Sequence, residues 1–226
     1  MNRSLGRMPH DPVRIAAERP HVMSATAPAP LVLSRPAVLA QPSLVFNDSL
    51  PTCTVAGLIN CARAWAQLHG FDLTYTDDAC LAFFAKVAGC DNTIEAIAKV
   101  PGLVMQDVLD YGRVNGFDCG GPVILEYDYQ VVDPHDEAAI RDVISLDGGA
   151  YVGIDVYARD MADPDNWNTT VSTAGELVGG HCLVPKDYTT LNYDAVTWGE
   201  DLQMTNVWLD ERIQEVFRIE WLFPIA

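Results

Sequence analysis

The chain is poor in positive charge. Its 14 lysines and arginines stand against 31 aspartates and glutamates, a formal net charge of −17 over 226 residues. A surface this acidic repels nucleic-acid phosphates and anionic lipid alike, so neither nucleic acid nor membrane is an expected partner. Long apolar runs are missing as well, and none approaches the ~20 residues a membrane-spanning helix needs. The N-terminus carries Arg3, Arg7, Arg14 and Arg19 but no continuous apolar core before a small-residue cleavage site, so no signal peptide is expected. The six cysteines (53, 61, 80, 90, 119 and 182) form no CxxC pair and no framework spacing. They read as buried thiols of a reducing compartment rather than disulfides. No GxxxxGK[ST] phosphate loop occurs, and the Asp-rich stretch 160–165 lacks the EF-hand ligand pattern and reads as a solvated loop. His181 and Cys182 are adjacent on a strand-like run and point to opposite faces, which argues against shared metal ligation. No cofactor and no metal is expected.

What is present is a globular composition, 49% hydrophobic and 20% charged, at a length that holds one sizeable core. Residues 1–43 differ from the rest, with seven of the 14 prolines (9, 12, 20, 28, 30, 36 and 42). That density favours an extended chain. We read it as a Pro/Ala-rich N-terminal arm, whether a flexible tail, a segment that docks on a partner subunit, or a propeptide, ahead of a domain at 44–226.

From Cys53 the pattern becomes helical, with Val55, Leu58, Ile59, Ala62, Trp65 and Ala66 recurring at three and four until Gly70. Further helices are expected from Asp77 or Asp78 to Val87 and over Val104–Val114, with Ile94–Val100 between them, closed by Pro101-Gly102. The back half reads as strands at Val123–Val132, Tyr151–Tyr157, His181–Pro185, Tyr193–Trp198 and Val216–Leu222. Helices at Glu137–Leu146 and Leu209–Gln214 interrupt them, and 159–178 reads as loop. A helical part followed by an antiparallel sheet is an α+β arrangement with a cleft between lobes.

Two residues carry the chemistry. Cys53 opens the first long helix, where unpaired N–H groups and the helix dipole favour a thiolate. His181 follows Gly179-Gly180 at the start of a strand and is a candidate base. Asn47 lies six residues before Cys53 and could donate its amide to an oxyanion beside the Cys53 backbone N–H.

The order Asn47, Cys53, Asp136-Glu137-Ala138-Ala139, Gly179-Gly180-His181-Cys182, Val196-Thr197-Trp198-Gly199 resembles the papain-like cysteine peptidases over residues 44–222. In that family an amide side chain precedes the nucleophilic Cys by six residues, and a GGHA-type strand carries the base. An NSWG strand then supplies an Asn that orients the His. Here Val196 occupies that last position, leaving Thr197, a backbone carbonyl, Asp187 or Asn192 to hold His181. The chain looks closest to an uncharacterised papain-like group of bacteriophage and bacterial genomes. The resemblance implies a papain-like fold and a thiol hydrolase acting on peptide or isopeptide bonds, with a peptide or protein substrate. Cys53 would be nucleophile, His181 base and Asn47 oxyanion donor. The competing implication is a weakly active or inactive structural or adaptor protein, even a virion component, whose arm docks on an assembly partner. A cytoplasmic or virion-associated location follows from either.

Overall fold

Asp11 accepts a hydrogen bond from the Val13 backbone and caps a short helix, α1 (Pro12–Ala17), with its proline at the first turn. The arm is therefore not uniformly extended. Proline lacks an N–H that the first helical turn does not use, and its fixed φ suits that position. The structure, a computed structural model, describes residues 3–23 and 29–222.

Four helices follow. The first, α2 (Cys53–Leu68), is buried along nearly its whole length. The second, α3 (Asp77–Ala88), is capped by Thr76 and stopped by Gly89 in the left-handed region. After α4 (Ile94–Ile97) comes α5 (Met105–Asn115). Strand β1 (Tyr127–Val132) is shorter than the expected Val123–Val132, because its partner register ends at Tyr127 opposite Trp221. Helix α6 (Glu137–Asp147) leads into β2 (Tyr151–Tyr157).

The expected loop 159–178 contains a helix, α7 (Ala158–Ala162), and a 3-10 turn at Val171–Thr173. Asp160, expected to be solvated, is buried. It accepts both Arg212 Nε and Nη2 at 3.0 Å and the Trp208 indole at 3.0 Å. A buried carboxylate needs such partners, and tertiary contact supplies them. Next come β3 (Leu177–Tyr188), β4 (Asn192–Thr197), β5 (Glu200–Thr205), α8 (Asn206–Arg212) and β6 (Ile213–Trp221). The β5 edge strand was not expected, since its acidic, polar sequence carries a weak strand signal.

The strands form one six-stranded sheet in the order β1-β6-β2-β3-β4-β5, paired antiparallel. The long β3 joins its two halves, pairing with β2 through Leu183 and with β4 from Val184, with a register shift between Pro185 and Asp187. One apolar cluster lies between the sheet and α2, α3 and α5, and a second on the side of α6 and α8. Helix α2 approaches β2 and β3 closely. A Cβ at Gly57 would lie 2.6 Å from the Cys182 sulfur and 2.9 Å from the Tyr151 ring. The Tyr151 hydroxyl donates to the Thr54 carbonyl at 2.8 Å. Glycine therefore sets the depth at which the head of α2 meets the strand carrying His181.

Candidate active site

Cys53 is the first residue of α2, and the helix entry leaves its N–H groups available. The preceding Thr52 makes no side-chain cap, because its hydroxyl instead donates to the Val45 carbonyl at 2.6 Å. Uncapped N–H groups at a helix start favour negative charge beside them. Entry to the helix runs through strained backbone, with Val45 and Phe46 at φ of 50° and 55°. Non-glycine residues, above all a β-branched one, hold this conformation only where surrounding contacts demand it, at about 1–3 kcal/mol each. Asn47 follows directly. It is buried, its backbone N–H donates to Leu44, and its side-chain oxygen has no hydrogen-bond partner.

His181 lies on β3 opposite Ile154 of β2. Its Nε2 is hydrogen-bonded to the Thr197 hydroxyl, which also donates to the Cys182 carbonyl at 3.4 Å. Of the open choices for holding the ring, the structure selects Thr197. Val196 instead stands opposite Val184, buried in the apolar cluster. Asp187 accepts the Arg35 backbone N–H at 2.6 Å, and Asn192 begins β4 opposite Thr205. The Nδ1 of His181 is buried without a partner.

Trp198 stacks on the imidazole at 4.2 Å between ring centres. It reaches that position through the β4–β5 turn, where Trp198 and Gly199 both have positive φ, 49° and 74°. Two-residue hairpin turns of this hand suit Asn-Gly or Gly-Gly, so placing Trp there carries a backbone cost that packing on His181 and Trp167 offsets.

Residues 3–8 of the arm cross this site. The Arg3 guanidinium lies over the Trp198 ring, and the Trp198 indole donates to the Ser4 carbonyl at 3.1 Å. Leu5 lies against Gly179. Main-chain bonds then tie the segment to both sides: Arg7 N–H to Gly180 O at 3.1 Å, Met8 N–H to Leu103 O at 2.8 Å, and Leu103 N–H to Gly6 O at 2.8 Å. The fit depends on missing side chains. A Cβ on Gly6 would collide with the Pro51 backbone, and one on Gly102 with the Gly6 carbonyl. Under this cover Cys53 and His181 are both 0% exposed.

The electrostatics match a closed site. Burial pushes the Cys53 thiol up to about 11, against the opposing pull of backbone groups of Cys182, Gly6 and Thr54 and of the Arg7 charge. The sulfur therefore meets both the arm and the residue directly after His181. His181 is lowered to about 3, chiefly by burial and also by the positive charges of Arg7 and Arg3. At neutral pH this arrangement holds a thiol and a neutral imidazole. The remaining cysteines are also free. Burial raises the thiols of Cys61, Cys80, Cys119 and Cys182.

Of the residues singled out from the sequence, the structure places Cys53 at the head of α2, Asn47 in the strained loop before it, and His181 on the strand whose next residue meets the Cys53 sulfur. Sequence reasoning passed over Arg7, Gly102, Asp155 and Glu215, which sit on separate segments and carry no local motif.

Among solved structures the chain is similar to xylellain, a cysteine protease from Xylella fastidiosa. That match has 12% identity and a TM-score of 0.69, covering 97% of this chain and 96% of that one. It is also similar to proCathepsin B S9 from Trypanosoma congolense, at 10% identity and TM-score 0.63, covering 97% and 87%. A third is digestive procathepsin L 3 of Tenebrio molitor, at 11% identity and TM-score 0.59, covering 97% and 76%. No family model and no curated protein matches the sequence. The fold is that of the papain-like cysteine proteases, a helical part packed on an antiparallel sheet.

Proposed function

We propose that this chain is a papain-type thiol hydrolase of peptide or isopeptide bonds, held closed by its own residues 3–8. The observation that carries the reading is the state of His181. One ring nitrogen is held by Thr197 and the other is buried and unpartnered, on the strand whose following residue meets the Cys53 sulfur. We assign that unpartnered nitrogen the proton exchange with the thiol in the open site.

With the arm displaced, His181 Nδ1 takes the Cys53 proton as the sulfur attacks the substrate carbonyl. The oxyanion is met by the Cys53 backbone N–H and the Asn47 amide. Collapse of the tetrahedral intermediate breaks the C–N bond, and imidazolium returns its proton to the departing amine. Water, deprotonated by the same imidazole, then cleaves the thioester. Thr197 fixes the ring orientation, the role given to an Asn in the resemblance described above. Two of the similar structures bear names that mark them as proforms, and the arm of this chain is read in the same way. Its cover raises the thiol and lowers the imidazole, the opposite of what attack needs.

The test compares alkylation of Cys53 by iodoacetamide in the intact chain, Arg7→Ala and Gly102→Ala, with Cys53→Ala as the blank. Slow labelling in the intact chain and selective, faster labelling of Cys53 in the two arm-weakened variants is the expected result. A Cys53 that reacts no faster than the other five cysteines in either variant overturns the reading.

A further inference from the structure

Arg7 does more than cross the site, because its side chain fills a formed pocket. The guanidinium is 2% exposed. Its Nη1 donates to Glu215 Oε1 at 2.8 Å, its Nη2 to Asp155 Oδ1 at 2.8 Å, and its Nε to the Ile154 carbonyl at 3.2 Å. Each of the three nitrogens has its own acceptor, which matches the planar fork of arginine and not the single point charge of lysine.

The pocket walls are shaped by absent side chains. A Cβ at Gly153 would lie 2.7 Å from Glu215 Cγ and Met105 Sδ and 2.8 Å from Arg7 Cδ. A Cβ at Gly180 would lie 2.5 Å from the Arg7 carbonyl oxygen and 2.9 Å from its Nε. Glu215 forms the floor with a fully buried side chain, and its second oxygen has no partner. Asp155, 26% exposed, stands nearer solvent.

We infer that this pocket selects an arginine side chain on a bound peptide, and that Arg7 is its resident occupant while the site is closed. This inference rests on the hydrolase reading and specifies its substrate class. Arg7 is held as a bound peptide would be: its main chain bonds to Gly180, the neighbour of His181, while its side chain enters the pocket. The carboxylates belong to β2 and β6, not to the arm, so they stay behind when the arm leaves. A buried carboxylate stripped of its cation is costly, and an incoming guanidinium restores every bond that Arg7 made. Glutamate and leucine restore none, and lysine cannot satisfy the separate acceptors together.

The test uses the full-length Arg7→Ala chain, in which the pocket has lost its occupant. Peptidyl electrophiles carrying arginine, lysine, leucine or glutamate at each of the three positions next to the reactive carbon are compared at Cys53. Their rates are divided by the iodoacetamide rate of the same variant. At one position arginine is expected to exceed leucine by about tenfold or more, with lysine between them. In Arg7→Ala/Glu215→Gln that preference should collapse towards one. Equal rates for the four side chains, with Cys53 still alkylated readily by iodoacetamide, overturn the pocket and leave the hydrolase reading standing. A second readout needs no chemistry at Cys53: argininamide should raise the thermal midpoint of Arg7→Ala more than lysinamide does, and not that of Arg7→Ala/Glu215→Gln. If Cys53 proves unreactive, a selective shift keeps the guanidinium pocket while the hydrolase reading falls. No selective shift overturns the pocket as well.

Discussion

The Thr197 hydroxyl holds Nε2 of His181. It does so from the last residue of β4, immediately before the turn that swings Trp198 over the same ring. Ring orientation and ring cover are therefore set by consecutive residues. A hydroxyl can both donate and accept, so it serves neutral imidazole and imidazolium alike.

That contact gives a first prediction. In an arm-weakened background, Thr197→Val should lower kcat about 10–100-fold, the worth of roughly 1–3 kcal/mol for a hydrogen bond to a group that becomes charged. Thr197→Ser should restore most of it. An unaltered kcat in Thr197→Val would show that His181 does not take part through this orientation.

Asn47 should separate acyl transfer from simple alkylation. Asn47→Ala in the same background is expected to slow amide hydrolysis about 100-fold or more, from losing ~3 kcal/mol of oxyanion stabilisation. Iodoacetamide displacement forms no oxyanion, so labelling of Cys53 should change far less. Equal losses in the two assays would mean that Asn47 shapes the loop and does not touch the reacting oxygen.

Acid should loosen the arm. His181 is lowered to about 3 by burial and by Arg7 and Arg3, and both arginines belong to the arm. Releasing it returns the imidazole towards its ordinary range near 6.5. The open state then binds more protons than the closed state between about pH 3 and 6.5. Closure is therefore strongest above this window and weakens as pH falls through it, by up to about tenfold per unit. Hydrogen exchange at the Arg7 and Met8 amides, which donate to Gly180 and Leu103, reads this directly. Protection independent of pH across the window would contradict it.

Stability should depend on a different buried pair. Asp160 and Arg212 are both buried and joined by two bonds at 3.0 Å, with Trp208 and the Tyr157 backbone N–H also bonded to Asp160. Asp160→Ala strands the arginine and should cost about 3–5 kcal/mol. Replacing the pair together as Asp160→Leu/Arg212→Met should cost much less. Denaturant unfolding of the two variants measures the difference, and similar losses would show that lost packing dominates.

The helices of the front half were legible because each combines a period of three to four with a defined start and stop, such as Thr76 and Gly89 around α3. The helix start at Cys53 and the strand around His181 were legible from apolar periodicity and flanking glycines. Thr197 was visible only as one choice among several, since strand register decides which side chain reaches across. The β5 strand and the buried state of Asp160 escaped because their sequences are polar, and only Asp194 and Gln203 across the ladder, or Arg212 and Trp208 in the core, explain them.

By itself the sequence determined the α+β class, the long helix with a cysteine at its head, and a proline-rich first segment unlike the rest. These depend on local periodicity, capping and turn chemistry, which neighbouring residues settle among themselves. The tertiary structure decided that residues 3–8 cover the site and that Arg7 meets Glu215 and Asp155. It also gave the His181 ring its partner in Thr197. Each of these joins segments remote in the chain, and their cost and gain arise from burial: a carboxylate, an imidazole and a thiol change character only when folding removes water from around them.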